Sequence, residues 1–255
     1  MTNKEMLCTA LKQSALELNC TVDDLTGGKS KAVISSTAEG ARKYLSLPFY
    51  CQLVSYGSGI VASVNEEIYA DAKAYIEKYA PEHCFETPNM LVLQSALERR
   101  GMSACFMAEY WLCDTGAIRP LDCGYELRLL TAEDFAPLYT PQWSNALCEK
   151  RKELDVLGIG AYDGEKLVGL AGCSADCESM WQIGVDVLPE YRRRGIASAV
   201  TGRLAAEIMA RGKVPFYCCA WSNVASARNA IRAGFRPAWV ELTAKSAEYT
   251  ADMNK

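Results

Sequence analysis

Histidine is nearly missing from this chain of 255 residues, which has one, His83. It lies in the loop-like stretch Pro81-Glu82-His83 and reads as solvated. The 12 cysteines do not make good the shortage of metal ligands. The closest local pairs, Cys173 with Cys177 and the adjacent Cys218-Cys219, do not match a paired zinc-ligand pattern, so no metal is expected. Long apolar runs are also absent. No stretch reaches the length of a membrane span, and the opening MTNKEMLCTALKQSALELNC interleaves charges with apolar residues, unlike a signal peptide's core. An excess of positive charge is lacking too. With 27 Lys and Arg against 31 Asp and Glu, the net charge is -4, which does not suggest a general nucleic-acid binder. There is no internal repeat and no low-complexity tract.

What is present is apolar content: 50% of the residues are hydrophobic, enough for one large domain or two modest ones. The cysteines are spread through both halves and mostly sit in apolar runs, as at Cys105, Cys218 and Cys219. Free cysteine packs like a small hydrophobe. The expectation is a reduced, cytoplasmic protein.

Spacing predicts the elements. Met6, Leu7, Ala10, Leu11, Ala15 and Leu18 follow helical period over Thr2–Asn19. Thr21–Lys31 is polar, with a break at Gly27-Gly28. Cys51–Tyr56 and Ile60–Val64 read as strands about a Gly57-Ser58-Gly59 turn. Glu66–Tyr79 and Asn89–Arg100 read as helices, the second ending at Gly101. Ser103–Leu112 is strand-like. Asp114–Asp122 shows no period and reads as a linker, which sets an N-terminal α+β domain over 1–122 against a second domain over 123–255. In the second, Tyr125–Leu130 is a strand and Thr131 with Asp134 forms a capping box. Asp155–Tyr162 and Lys166–Ser174 form a hairpin about Asp163-Gly164, and Trp181–Val187 is a further strand.

The informative stretch is WQIGVDVLPEYRRRGIA, Trp181–Ala197. A strand ends at Val187, Pro189 stops the ladder, and a helix follows with Ile196, Val200, Leu204 and Ile208 on one face. The turn between them holds Arg192, Arg193, Arg194 and Gly195. The first amides of a helix lack intrahelical acceptors and, with the helix dipole, make an anion site. Gly195 and Ala197 are small, so a phosphate can approach the backbone, and the arginines add charge. A pyrophosphate cradled from about Arg193 to Ser198 is one reading. A solvated basic turn capping an ordinary helix is the other. Downstream, Phe216–Trp221 is a strand, Ser222-Asn223 opens a helix over Val224–Ala233, and Gly234-Phe235 closes it. Asn223 reads as the N-cap or as a residue reaching a ligand between the two strands.

These residues resemble the GNAT superfamily, the GCN5-related N-acetyltransferases. Their signature, Arg/Gln-x-x-Gly-x-Gly/Ala after a strand, is met by Arg192-x-x-Gly195-x-Ala197. Asn223, Ser226 and Gly234-Phe235 fall in the register that the family favours, and the match spans roughly Tyr125–Lys245. The resemblance implies an α/β (α+β) fold whose mixed sheet splays open between Trp181–Val187 and Phe216–Trp221. It implies acetyl-CoA as co-substrate, with the pantetheine arm pairing to the backbone of Val185 and Val187. The implied cofactor-binding set is Val185, Asp186, Val187, Arg192, Arg193, Arg194, Gly195, Ile196, Ala197, Ser198, Asn223 and Ser226. The long N-terminal half also resembles longer GNAT proteins with an extra domain, some of which acetylate amine-bearing antibiotics.

The implied reaction is direct attack of a small-molecule amine on the thioester, with no nucleic acid and no membrane involved. One feature departs from the family: the tyrosine often found seven residues after the helix-opening Asn is Ala230 here. The sequence therefore assigns no general acid or base. Tyr191, Asp186, Glu178, Asp176 and Tyr217 stand as unplaced candidates. Ala230 also motivates a second reading, an acyl-CoA-binding module without turnover. A third is an aminoacyl-type transferase, against which the acidic balance weighs. The N-terminal half is expected to wall the acceptor pocket, or to serve dimerisation.

Overall fold

The computed structural model describes residues Met1–Lys255. Its elements run α1 (Asn3–Leu18), α2 (Val22–Thr26), β1 (Lys31–Ile34), β2 (Cys51–Ser55), β3 (Val61–Val64), α3 (Tyr69–Lys78), α4 (Thr87–Glu98), β4 (Met102–Cys113), β5 (Glu126–Thr131), β6 (Asp155–Asp163), β7 (Lys166–Ser174), β8 (Met180–Val187), α5 (Ile196–Ala210), β9 (Val214–Ala220), α6 (Val224–Arg232), β10 (Phe235–Ser246) and α7 (Ala247–Met253). The chain forms two compact units. One comprises Met1–Thr9 with Tyr110–Pro237, the other Ala10–Glu109 with Ala238–Lys255. A single cut at Asp122 does not separate them, because α1, β4 and β10 each begin in one unit and end in the other.

The unit built on Ala10–Glu109 orders its strands β1-β3-β2-β10-β4. β2 and β3 form the antiparallel hairpin expected about Gly57, and β1 adds to β3 in parallel. Every residue of β2 and β3 is buried, including the polar Gln52, Ser55 and Ser63, so both faces of the strands are covered. Leu53, Ile60, Ile68, Ile76, Leu93, Leu97 and Leu242 fill the core. The polar stretch after Asn19 holds an unexpected short helix, α2. Its Thr21 hydroxyl accepts from the Asp24 amide at 3.2 Å, and the Asp24 carboxylate accepts from the Thr21 amide at 2.9 Å. That capping box offsets the weak propensity of five residues.

A charged cluster is enclosed in this unit. Arg42, Glu17 and Glu241 have side chains 2%, 1% and 5% exposed. Arg42 donates through Nε to Glu17 Oε1 and Oε2 at 3.0 and 2.9 Å, through Nη2 to Glu17 Oε2 at 2.7 Å and to Glu241 Oε1 at 2.9 Å, and through Nη1 to the Tyr44 hydroxyl at 2.6 Å. The Trp239 indole N–H donates to Glu241 at 2.7 Å, and the Gln13 amide to Glu17 at 2.9 Å. Two buried carboxylates thus share one guanidinium.

In the other unit the order is β4-β9-β8-β7-β6-β5. β5 to β8 pair antiparallel, and β8 pairs with β9 in parallel. The Thr131–Asp134 capping box forms but opens only a single 3-10 turn, Ala132–Asp134, since Pro137 and Pro141 follow closely and cannot donate to a longer helix. The segment 114–122 is docked rather than a free linker. Asp114 is buried and pairs with Arg236, and its amide donates to the Gly234 carbonyl at 2.8 Å. Gly234 has φ +94°, and a Cβ there would lie 2.9 Å from the Ile118 nitrogen.

Asp155, at the start of β6, is 2% exposed. Its carboxylate accepts from the Cys148 amide at 2.8 Å and the Tyr139 hydroxyl at 3.2 Å. Burial nevertheless raises its pKa from 3.8 to about 6. A carboxyl raised in the folded state costs nothing below its unfolded pKa. Its cost grows above that value and is complete once pH exceeds the folded pKa. Asp155→Asn, which keeps an acceptor, is therefore expected to gain melting temperature relative to wild type as pH rises from 4 to 8. Thermal melts across that range check it; a pH-independent difference would contradict the assignment.

Candidate functional site

β8 and β9 pair only from Met180↔Val214 to Ile183↔Tyr217. β8 continues to Val187 and β9 to Ala220, so the two strands splay beyond Ile183. The Leu188 amide donates to Val168 on the β7 side at 3.0 Å. Antiparallel alternation then turns the even residues of β8 toward β7 and the odd ones toward the gap. The polar backbone groups of Val185 and Val187 face that gap. One of them, the Val187 carbonyl, already accepts from Arg192 Nε at 3.1 Å.

The opposite face of β8 explains Asp186. Its carboxylate accepts from the Asn145 amide at 2.8 Å, the Asn145 side chain at 2.7 Å and the Ala146 amide at 3.0 Å. The backbone of Asn145–Ala146 crosses two glycines. A Cβ on Gly184 would lie 1.8 Å from the Asn145 oxygen, and one on Gly172 would lie 2.2 Å from that of Ala146. Trp143, Ala146 and Leu147 are buried beneath this crossing. Asp186 is thus a clamp on a loop, and its side chain is not a free base. Asp176 is likewise spoken for, fully buried and paired with Arg151, while Glu178 is exposed.

At the end of β8 the chain makes one 3-10 turn, Pro189–Tyr191, and enters α5 through Gly195, φ +84°. Arg193 also takes a positive φ, +63°. No side chain caps α5, and its first inward bond runs from the Ala199 amide to the Gly195 carbonyl. The amides from Arg193 to Ser198 find no acceptor in the protein. They border a cavity of about 360 Å³. Val187, Arg192, Arg193, Gly195, Ile196, Ala197 and Ser198 line one side, with Tyr191. α6 supplies the other with Ala225, Arg228, Asn229 and Arg232. No acidic side chain lines it, and none of its four arginines is ion-paired.

The cavity gathers only part of the expected set. Arg194 turns away, donating to the Tyr125 hydroxyl at 2.7 Å and the Glu190 carbonyl at 3.0 Å. Asn223 caps α6, accepting from the Ser226 amide at 3.1 Å, and the Ser226 hydroxyl lies 2.6 Å from that of Tyr217. Neither Asn223 nor Ser226 lines the cavity, and neither do Val185 and Asp186. Tyr191 donates to Asp163 at 3.0 Å. Ala230 is completely buried, so nothing at that position can exchange a proton with a ligand. Tyr217 is buried, which raises its pKa. The α6 residues were missed although their signal was present: 225, 228, 229 and 232 recur at i, i+3, i+4 and i+7, one helix face.

A diphosphate fits this arrangement. The unaccepted amides and the absent Cβ at Gly195, with Arg192 and Arg193 beside them, form an anion cradle at the start of a 15-residue helix.

Comparison with known proteins bears on the same region. The family model described as GNAT acetyltransferase matches residues 92–238. A GNAT-family structure from Novosphingobium aromaticivorans is similar at 23% identity and TM-score 0.45, over 56% of this chain and 66%, just under two thirds, of its own. A GCN5-related N-acetyltransferase from Sphaerobacter thermophilus is similar at 16% identity and TM-score 0.46, over 74% of this chain and 72% of its own. A Salmonella typhimurium protein solved with its cofactor acetyl-CoA is similar at 17% identity and TM-score 0.34, over 48% of this chain and 93% of its own. The search of curated proteins found no match.

Proposed function

Since the chain belongs to the GNAT acetyltransferase family, we propose that it transfers an acetyl group from acetyl-CoA to the amine of a small molecule. The observation that carries this reading is the run of unaccepted amides from Arg193 to Ser198, bordering a cavity with four unpaired arginines. Acetyl-CoA supplies a thioester as acyl donor. The protein's own contribution is largely position: the α5 cradle holds the diphosphate, and the gap-facing backbone of Val185 and Val187 pairs with the arm that leads to the thioester. An N–H on that edge can polarise the acyl carbonyl. The amine attacks as the neutral species; the C–N bond forms as the C–S bond breaks, and the proton lost by nitrogen balances the departing thiolate. Asp186 is committed to the Asn145 loop, and water can relay the proton from the amine. The setting proposed is cytoplasmic. The structure has no helix long and apolar enough to cross a membrane.

The test is to incubate the full chain with acetyl-CoA and a panel of small amines, following free thiol and the mass of the amine. Thiol release that depends on one amine, with the acetylated product, is the expected result. Ala230 favours one other reading, a coenzyme-binding module without turnover. Tight binding of acetyl-CoA with no amine-dependent release would support that instead.

A further inference from the structure

The cavity holds more positive charge than a diphosphate needs. The amides of Arg193–Ser198 with Arg192 and Arg193 already suffice for a diester carrying about two negative charges. Arg228 and Arg232 stand across from them on α6, one turn apart on the same face. Both are exposed, and neither has a carboxylate partner. The contrast with α5 is direct: its Arg203, and Arg211 just past its end, both pair with Glu207 at 2.8 and 2.9 Å. α6 contains no acidic residue at all. Arg232 is also close to the cradle, its Nη2 lying 3.6 Å from where a Cβ on Gly195 would be.

We propose that Arg228 and Arg232 form a second anion subsite that takes the 3′-phosphomonoester of coenzyme A, and that the protein thereby distinguishes coenzyme A from its dephosphorylated form. This rests on the coenzyme reading of the cradle. A phosphomonoester carries about −1.5 to −2 charge at neutral pH, and planar guanidinium groups recognise it in bidentate fashion. Two arginines one helical turn apart can grip such a group from two sides, while the diphosphate stays on the α5 amides.

Calorimetric titration of coenzyme A and dephospho-coenzyme A into the full chain tests this, with Arg228→Ala/Arg232→Ala as the variant. Wild type is expected to bind coenzyme A about tenfold or more tighter than the dephospho form, the scale of charge-assisted hydrogen bonds. The variant is expected to weaken coenzyme A by that factor, to leave the dephospho form unchanged, and to bring the ratio near one. Equal affinity of wild type for the two ligands would overturn the subsite while leaving the cradle intact. A variant that weakens both ligands alike would place the arginines on the diphosphate and overturn it too. If wild type binds neither ligand, the coenzyme reading itself falls and takes the subsite with it.

Discussion

Gly195→Trp is expected to abolish binding of acetyl-CoA, weakening it by roughly a hundredfold or more, about 3 kcal/mol, while the protein stays folded. Two effects meet at this residue. The backbone is left-handed, φ +84°, which costs a side-chain-bearing residue roughly 1–2 kcal/mol. The indole must also occupy the cavity, since its Cβ would start 3.6 Å from Arg232 Nη2 and 4.0 Å from the Cys123 Cβ. Gly212→Trp separates the two. Gly212, just past the C-terminal end of α5, has φ +72° and nothing within 4 Å of an added Cβ. It carries the same backbone cost without touching the cavity. Calorimetry should show binding retained in Gly212→Trp and lost in Gly195→Trp, with comparable melting temperatures. Equal binding by both variants would mean that the arginine turn only opens a helix, and the transferase reading would fall.

Arg42→Met is expected to cost about 3–5 kcal/mol of stability. It leaves the Glu17 and Glu241 carboxylates enclosed without their shared cation. For a unit of this size that corresponds to a fall in melting temperature of roughly 10 °C or more. The informative partner is the triple variant Glu17→Gln/Arg42→Met/Glu241→Gln. It removes all three charges while keeping acceptors for the Trp239 indole and the Gln13 amide. Because desolvation offsets much of the Coulomb attraction in such clusters, the triple variant is expected to recover most of the loss. A triple variant as unstable as Arg42→Met would mean that shape, not charge, holds this cluster together.

The parts of the fold legible in the sequence were those whose signal is local. The β8–turn–α5 passage announced itself through Pro189, the arginines, Gly195 and the apolar spacing of Ile196, Val200, Leu204 and Ile208. The hairpin at Asp163-Gly164 and the α6 cap at Asn223 are equally local, each a turn or cap written in two or three residues. What escaped depended on partners distant in sequence. β1 is four residues long, with too little alternation to register, and exists because β3 pairs with it. β10 follows Gly234-Phe235 without a turn signal to set it apart. Asp186 could not be told from a catalytic acid, because its role is fixed by the amides of Asn145 and Ala146, some forty residues upstream. Gly172 and Gly184 lie inside strands, and the reason for their missing side chains is again the crossing of the Asn145–Ala146 backbone, distant in sequence. At the cavity, α5 was read from its turn, whereas Arg228 and Arg232 were not singled out. They were recoverable from spacing alone, but nothing local says that the face opens onto an anion cradle.

The division of the chain has a consequence for how this protein can be taken apart. Its polypeptide passes between the compact units at Thr9, Glu109 and Pro237. A fragment of residues 123–255 would carry Ala238–Lys255 without β2, whose residues 52–55 pair with Val240–Thr243. The complementary fragment 1–122 would expose that same edge of β2, an open template for aggregation. The two units are therefore interlaced in the chain, and one is not a cassette appended to the other. Grafting either onto another protein, or exchanging it between relatives, requires three junctions to be matched together.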